Sequence, residues 1–119
     1  MGSIPDAIAL SIMDRRNLGF HSGMASDFLV DLMNSGVVTN ITKPFDRGVS
    51  TTAILLGKTK LYEFAPNNKK LKLRPSWHTH SGDVHLLKNF VSINSALEVD
   101  LTGQVGAEEL NGIPVSAIG

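Results

Sequence analysis

With no cysteine in the chain, its acid/base and metal chemistry falls to four histidines and eleven carboxylates. The missing thiols exclude disulfides, thiolate catalysis and Cys-ligated zinc, and fit a reducing cytosol. His78 and His80 alternate on what reads as an extended segment, which would set both on one face with His85 a turn or two beyond. That is a conceivable metal-ligand spacing, but three histidines in a polar loop are ordinarily solvated or hydrogen-bonded, and no metal is expected. His21, at the end of a short extended stretch, could act as an acid or base or simply bond to backbone. Glu98 and Asp100 share a strand face on either side of Val99, and a structural network holding Thr102-Gly103 is the default for such a pair. Lys69, Lys70, Lys72 and Arg74 form a modest basic cluster whose default is a solvated strand face. Trp77 and Tyr62 stand alone, without the aromatic series that stacks on nucleic-acid bases.

These residues need a frame. Pro5, with Ile4, Ala7, Ile8, Leu10, Ile12 and Met13, predicts a short core helix ending near Arg15 or Arg16. Asn17 to His21 reads as extended, and Ser26 as the N-cap of a helix carrying Phe28, Leu29, Leu32 and Met33 until Gly36 stops it. Asn40 to Gly48, with Pro44, has the composition of a surface connection. Val49 to Leu56 is β-branched and apolar nearly throughout, as in a strand covered on both faces. Leu61, Tyr62, Phe64 and Ala65 predict a helix, Leu71 to Leu73 a strand, and Asp83 to Asn89 a short helix. Phe90 to Leu101 is a long extended candidate, followed by glycine-rich loop. This alternation predicts an α/β fold: an open, mostly parallel sheet with flanking helices.

The 119 residues, 42% hydrophobic and 18% charged, suit one core. Eleven basic and eleven acidic side chains cancel, so no global field draws nucleic acid or an anionic membrane. The longest apolar runs, such as Ala53 to Leu56, fall far short of the roughly 20 residues that span a bilayer. The expected location is the cytoplasm. Both ends read as severed: the chain starts on a helix and stops in a loop at Ile118-Gly119. The expected arrangement is a partial domain over residues 1–119, truncated at both ends, with exposed sheet edges that favour a homo-oligomer or the remainder of a parent chain.

Several segments, in order, resemble the acetyl-CoA hydrolase/transferase family, which includes the 4-hydroxybutyrate CoA-transferases. They are Gly2-Ser3-Ile4-Pro5-Asp6-Ala7, Leu18 to Met24, Asp31-Leu32, Gly36 to Asn40, Leu56-Gly57 with Leu61-Tyr62, and Asn67-Asn68 before Leu73-Arg74-Pro75. The most specific is the run from Val91 to Val105, VSINSALEVDLTGQV. The resemblance implies an internal piece of the carboxyl-terminal domain, NagB/RpiA/CoA-transferase-like in fold, whose parent binds acyl-CoA and a small carboxylic acid. It implies that the parent transfers CoA between acids or hydrolyses the thioester.

In such enzymes a glutamate carboxylate attacks the acyl-CoA and becomes an enzyme-bound thioester, splitting one hard exchange into two easier steps. The position resembling that glutamate, after His21-Ser22, is Gly23, which has no side chain to attack with. The departure favours hydrolysis, another nucleophile or a catalytically inactive CoA-binding or oligomerisation module. Asp27, one helical turn on, could orient a water. By the same resemblance Gly2, Ser3 and Ile4 fall in a coenzyme A-binding loop, Asn94 and Ser95 near the cofactor on the signature strand, and Gly119 at a second glycine-rich loop. A glycine ahead of a helix independently lets backbone N–H groups approach a pyrophosphate. The basic cluster at Lys69 to Arg74 would then be placed to meet the 3′-phosphate.

Overall fold

The computed structural model describes residues 3–115, and within them three parallel strands form the centre. The order is β1 (His21–Ala25), β2 (Ser50–Leu55), β3 (Leu71–Leu73), with His21 opposite Thr51 and Ser50 opposite Leu71. A parallel bridge between Leu18 and Val38 extends the extended chain ahead of β1. Each strand leads into a helix: α1 (Ser3–Ser11) precedes β1, α2 (Asp27–Asn34) follows it, α3 (Thr59–Phe64) follows β2, and α4 (Ser76–Thr79) follows β3. Parallel strands require such crossovers, so the expected α/β architecture holds, in a small sheet.

The apolar core lies between the sheet and α2. Leu29 and Leu32 of α2 pack with Ala9, Ala25, Val37, Val38 and Leu71, with Phe20, Phe28, Met33, Leu55 and Phe64 against them. Gly36, at φ +76°, stops α2 in the left-handed conformation that glycine adopts without strain. Ser26 is the N-cap by backbone geometry, although its hydroxyl makes no capping bond. At Gly57, a Cβ would sit 3.0 Å from both Asp27 carboxylate oxygens and 2.9 Å from Leu61 Cδ2. Glycine there lets the Asp27 carboxylate accept the Lys58 backbone N–H at 3.1 and 3.0 Å, clamping the β1–α2 turn to the start of α3.

Two expectations are overturned and a third holds only in part. The first helix ends at Ser11, four or five residues early; Ala9 packs in the core with α2, while Leu10 is exposed. The connection from Asn40 to Gly48 runs over the surface at Ile41, Thr42, Pro44 and Arg47, but Asn40 and Lys43 are buried, drawn in by the polar start of β2. Phe90 to Leu101 is not one long strand. Only Glu98–Val99 (β4) pairs, antiparallel with Val105–Gly106 (β5), and Glu109–Leu110 (β6) pairs with Ile113–Pro114 (β7). Phe90, Val91, Ile93, Leu97 and Val99 are exposed, so this segment buries too little surface to hold a sheet register of its own.

Candidate functional site

The polar centre of the molecule is built from β2. Ser50, Thr51 and Thr52 are completely buried, yet every hydroxyl is bonded, as buried polar groups must be. Asn40 Nδ2 donates to Ser50 Oγ at 2.9 Å and its Oδ1 accepts the Phe20 N–H at 2.7 Å. Thr52 Oγ1 donates to the Ile54 carbonyl at 3.1 Å. Thr51 Oγ1 donates to Asp46 Oδ2 at 2.9 Å and accepts from Lys43 Nζ at 3.3 Å. Lys43 spends its other two N–H donors on the carbonyls of Phe20 and Val49, at 3.0 and 2.9 Å. Its stem lies along Gly19, where a Cβ would come 3.0 Å from Lys43 Cγ.

Asp46 is the hub. Besides Thr51, it accepts Arg74 Nη2 at 3.2 Å and His78 Nε2 at 2.8 Å, and its side chain is only 10% exposed. Burial alone would raise the Asp46 pKa. The bonds from His78, Thr51 and Arg74, with the Arg74 charge, outweigh it and hold the carboxyl at about 2. Burial pushes the Lys43 ammonium down to about 8 against the pull of Asp46.

Above this network lies the face of β1 that carries His21 and Gly23. His21 Nε2 bonds to the Thr79 carbonyl at 3.1 Å, and its ring meets Phe45 edge-on at 5.6 Å and His78 at 6.2 Å. A carbonyl only accepts, so Nε2 carries the hydrogen and Nδ1, buried and without a partner among the described residues, is the bare nitrogen. Burial lowers the His21 pKa, more than the Thr79 carbonyl raises it. The sequence reading of His21 as a backbone-bonded histidine is the one the geometry matches.

His78 and His80 are not on an extended segment. His78 lies in α4 and His80 caps its end, so a helical turn, rather than strand alternation, sets their directions: His78 to Asp46 and His80 to Gly23. His85, exposed in a 3₁₀ turn over Gly82–Leu86, bonds to the Gly82 carbonyl. Among the described residues, no group of three His, Asp or Glu side chains could hold a metal ion. At Gly23 a Cβ would fall 2.7 Å from His80 Cε1 and 2.9 Å from its Nε2. The His80 ring occupies the space a side chain at position 23 would need.

Ser3 and Ile4 open α1, while Gly2 and Gly119 lie outside the described residues. Asn94 and Ser95 are exposed on irregular chain, and Asn94 Nδ2 bonds locally to Ser92 Oγ at 3.1 Å, with no hydrogen bond among the described residues tying either to α1. Arg74 turns to Asp46, away from the exposed Lys69, Lys70 and Lys72. Asp100 organises its turn by accepting the Thr102 hydroxyl and N–H and the Gln104 N–H at 2.7, 2.8 and 3.0 Å, led by the hydroxyl in keeping its pKa low. Beyond the carboxyl ends of β1 and β2, where open α/β sheets commonly bind ligands, a cleft of about 740 Å³ is lined by Leu10, Met13, Asp27, Phe28, Gly57 and Lys58. Sequence reasoning missed Asn40, Lys43 and Asp46. Their signal was the Ser-Thr-Thr start of β2, which needs buried polar partners.

Comparisons with known proteins place this arrangement. A family model for the acetyl-CoA hydrolase/transferase C-terminal domain matches residues 57–119, just over half the chain. The chain is 38% identical over its whole length to 4-hydroxybutyrate coenzyme A transferase of Clostridium kluyveri, covering 28% of that protein. It is 34% identical over 99% of its length to succinyl-CoA:cyclohexane-1-carboxylate CoA transferase of Geobacter metallireducens, covering 27% of it. The crystal structure of RipA from Yersinia pestis superposes with a TM-score of 0.83 at 35% identity, over 91% of this chain and 25% of that one. The chain thus spans little more than a quarter of the curated relatives it matches. By sequence and by fold, it belongs to the acetyl-CoA hydrolase/transferase family.

Proposed function

We propose that the protein carrying this chain acts on acyl-CoA thioesters, and that residues 1–119 are part of a carboxyl-terminal domain of the NagB/RpiA/CoA-transferase-like kind within it. The support is the ordered likeness to CoA-transferases along the whole chain. The substrates are coenzyme A esters and a small carboxylic acid, and the reaction is CoA transfer between acids or hydrolysis, in the cytoplasm. Gly2, Ser3, Ile4, Asn94, Ser95 and Gly119 are the proposed coenzyme A contacts, acting through backbone N–H groups and short polar side chains. Oligomerisation, with a second copy or the remaining chain covering Phe90 to Val115, completes the reading.

Within it, Gly23 stands where the family's attacking glutamate is expected. Glycine offers no carboxylate, so a covalent CoA-glutamyl intermediate at position 23 is impossible, which favours hydrolysis or another nucleophile. The same glycine favours a second reading, a CoA-binding module without catalysis. Incubating the full-length protein with acetyl-CoA and butyryl-CoA, with and without carboxylic acids, separates them. Free CoA or a new thioester supports the first reading. Unchanged thioester with measurable CoA binding supports the second, and neither turnover nor binding refutes both.

A further inference from the structure

Resting on the thioester reading above, we propose that His80 is the general base that directs water onto the acyl-CoA carbonyl in the space beside Gly23. Three observations carry it. First, the ring is oriented. His80 Nδ1 lies 3.2 Å from the Ser76 carbonyl and 2.9 Å from Thr79 Oγ1, whose own hydrogen goes to the Ser76 carbonyl at 3.2 Å. A carbonyl can only accept, and a hydroxyl already donating is left to accept, so both neighbours place the hydrogen on Nδ1. Nε2 then carries the free lone pair.

Second, that nitrogen is available. Nε2 takes no hydrogen bond from a described residue, and His80 as a residue is solvent-exposed. Third, it sits beside the position where the family's attacking carboxylate is expected. Nε2 is 2.9 Å from the point where a side chain at position 23 would begin. A Cβ there collides with the ring, so glycine at 23 and the inward His80 ring go together.

The step balances without any further reactant. Nε2 takes a proton from water as the water oxygen bonds to the thioester carbon. The tetrahedral intermediate collapses with cleavage of the C–S bond. The imidazolium gives its proton to the departing sulfur, so acyl-CoA and water become carboxylic acid and CoA thiol. General-base assistance of this kind contributes about 10²- to 10⁴-fold.

The test uses the full-length protein and acetyl-CoA without an acceptor acid, following free CoA with a thiol reagent. His80→Ala should lower hydrolysis about 100-fold or more at unchanged affinity for CoA, and imidazole added to the solvent should restore part of the rate. His80→Gln, which keeps much of the volume and polarity, should lose as much, and serves if the alanine variant does not fold. Gly23→Ala, which leaves His80 in the chain but displaces its ring, should lose activity in the same direction. Hydrolysis at the unmodified rate in both His80 variants overturns the proposal while leaving thioester chemistry standing. An acyl group found on His80 in acid-quenched samples also overturns it, making the ring a nucleophile. No consumption of acyl-CoA by the unmodified protein sinks this inference, and the absence of CoA binding as well would sink the functional reading beneath it.

Discussion

Asp46 is the point where the fold is most exposed to a single charge. Its carboxylate gathers Thr51 from β2, Arg74 from the chain after β3 and His78 from α4, so removing the charge should loosen three elements together. A carboxyl held at about 2 rather than 3.8 corresponds to about 2 kcal/mol of native-state stability at neutral pH. The sign follows from proton uptake. A lowered native pKa means the unfolded chain binds the proton first, so this stability is complete above about pH 4 and is lost as pH falls towards 2. In Asp46→Asn the amide oxygen can keep the Arg74 bond, but its NH₂ then faces the donors of Thr51 and His78. The variant should therefore lose about 2–3 kcal/mol at pH 7, and the gap to the unmodified chain should close near pH 2. Urea unfolding at pH steps between 2 and 7, read by the fluorescence of the single Trp77, measures both curves. A difference below about 0.5 kcal/mol at pH 7, or one that does not shrink in acid, would refute the assignment of Asp46 as the hub.

Lys43, held at about 8 instead of 10.5, works in the opposite pH range: the unfolded chain keeps the proton longer, so stability should rise by about 3 kcal/mol between pH 8 and 10.5. Lys43→Met should flatten that rise in the same urea series. Gly57→Ala should cost about 1–3 kcal/mol through the collision with Leu61 and the Asp27 oxygens, and thermal unfolding should show it, whereas Gly82→Ala, with open space around its Cβ, should change little. Asn40→Ala should lose about 2–3 kcal/mol by leaving the Phe20 N–H and the Ser50 hydroxyl short of partners, seen as faster amide exchange at Phe20.

The fold class was legible because β-branched and helical periodicities alternate cleanly from Ser26 to Leu73. Gly36 and Gly57 mark the breaks that the backbone requires. Two kinds of residue resisted reading. Asn40, Lys43 and Asp46 sit in a turn-rich stretch whose composition says surface, and only the need to satisfy the Ser50, Thr51 and Thr52 hydroxyls draws them inward. That is a tertiary demand, invisible to local pattern. Phe90 to Leu101 failed for the reverse reason. Its strand-like composition needs a partner sheet, and among the described residues only Val105–Gly106 pairs with it. At the candidate site, the importance of position 23 was legible through resemblance, but the His80 ring beside it was not, because α4 replaced the predicted extended chain.

The most direct measurement follows oxygen from water into product. The full-length protein, given acyl-CoA in ¹⁸O-water, should release CoA thiol and a carboxylic acid carrying one solvent oxygen, with no labelled oxygen in remaining thioester. Intact acyl-CoA after prolonged incubation, or CoA passed to an added acid without solvent oxygen entering the product, would contradict an active site in which water has taken the place of a side chain at position 23.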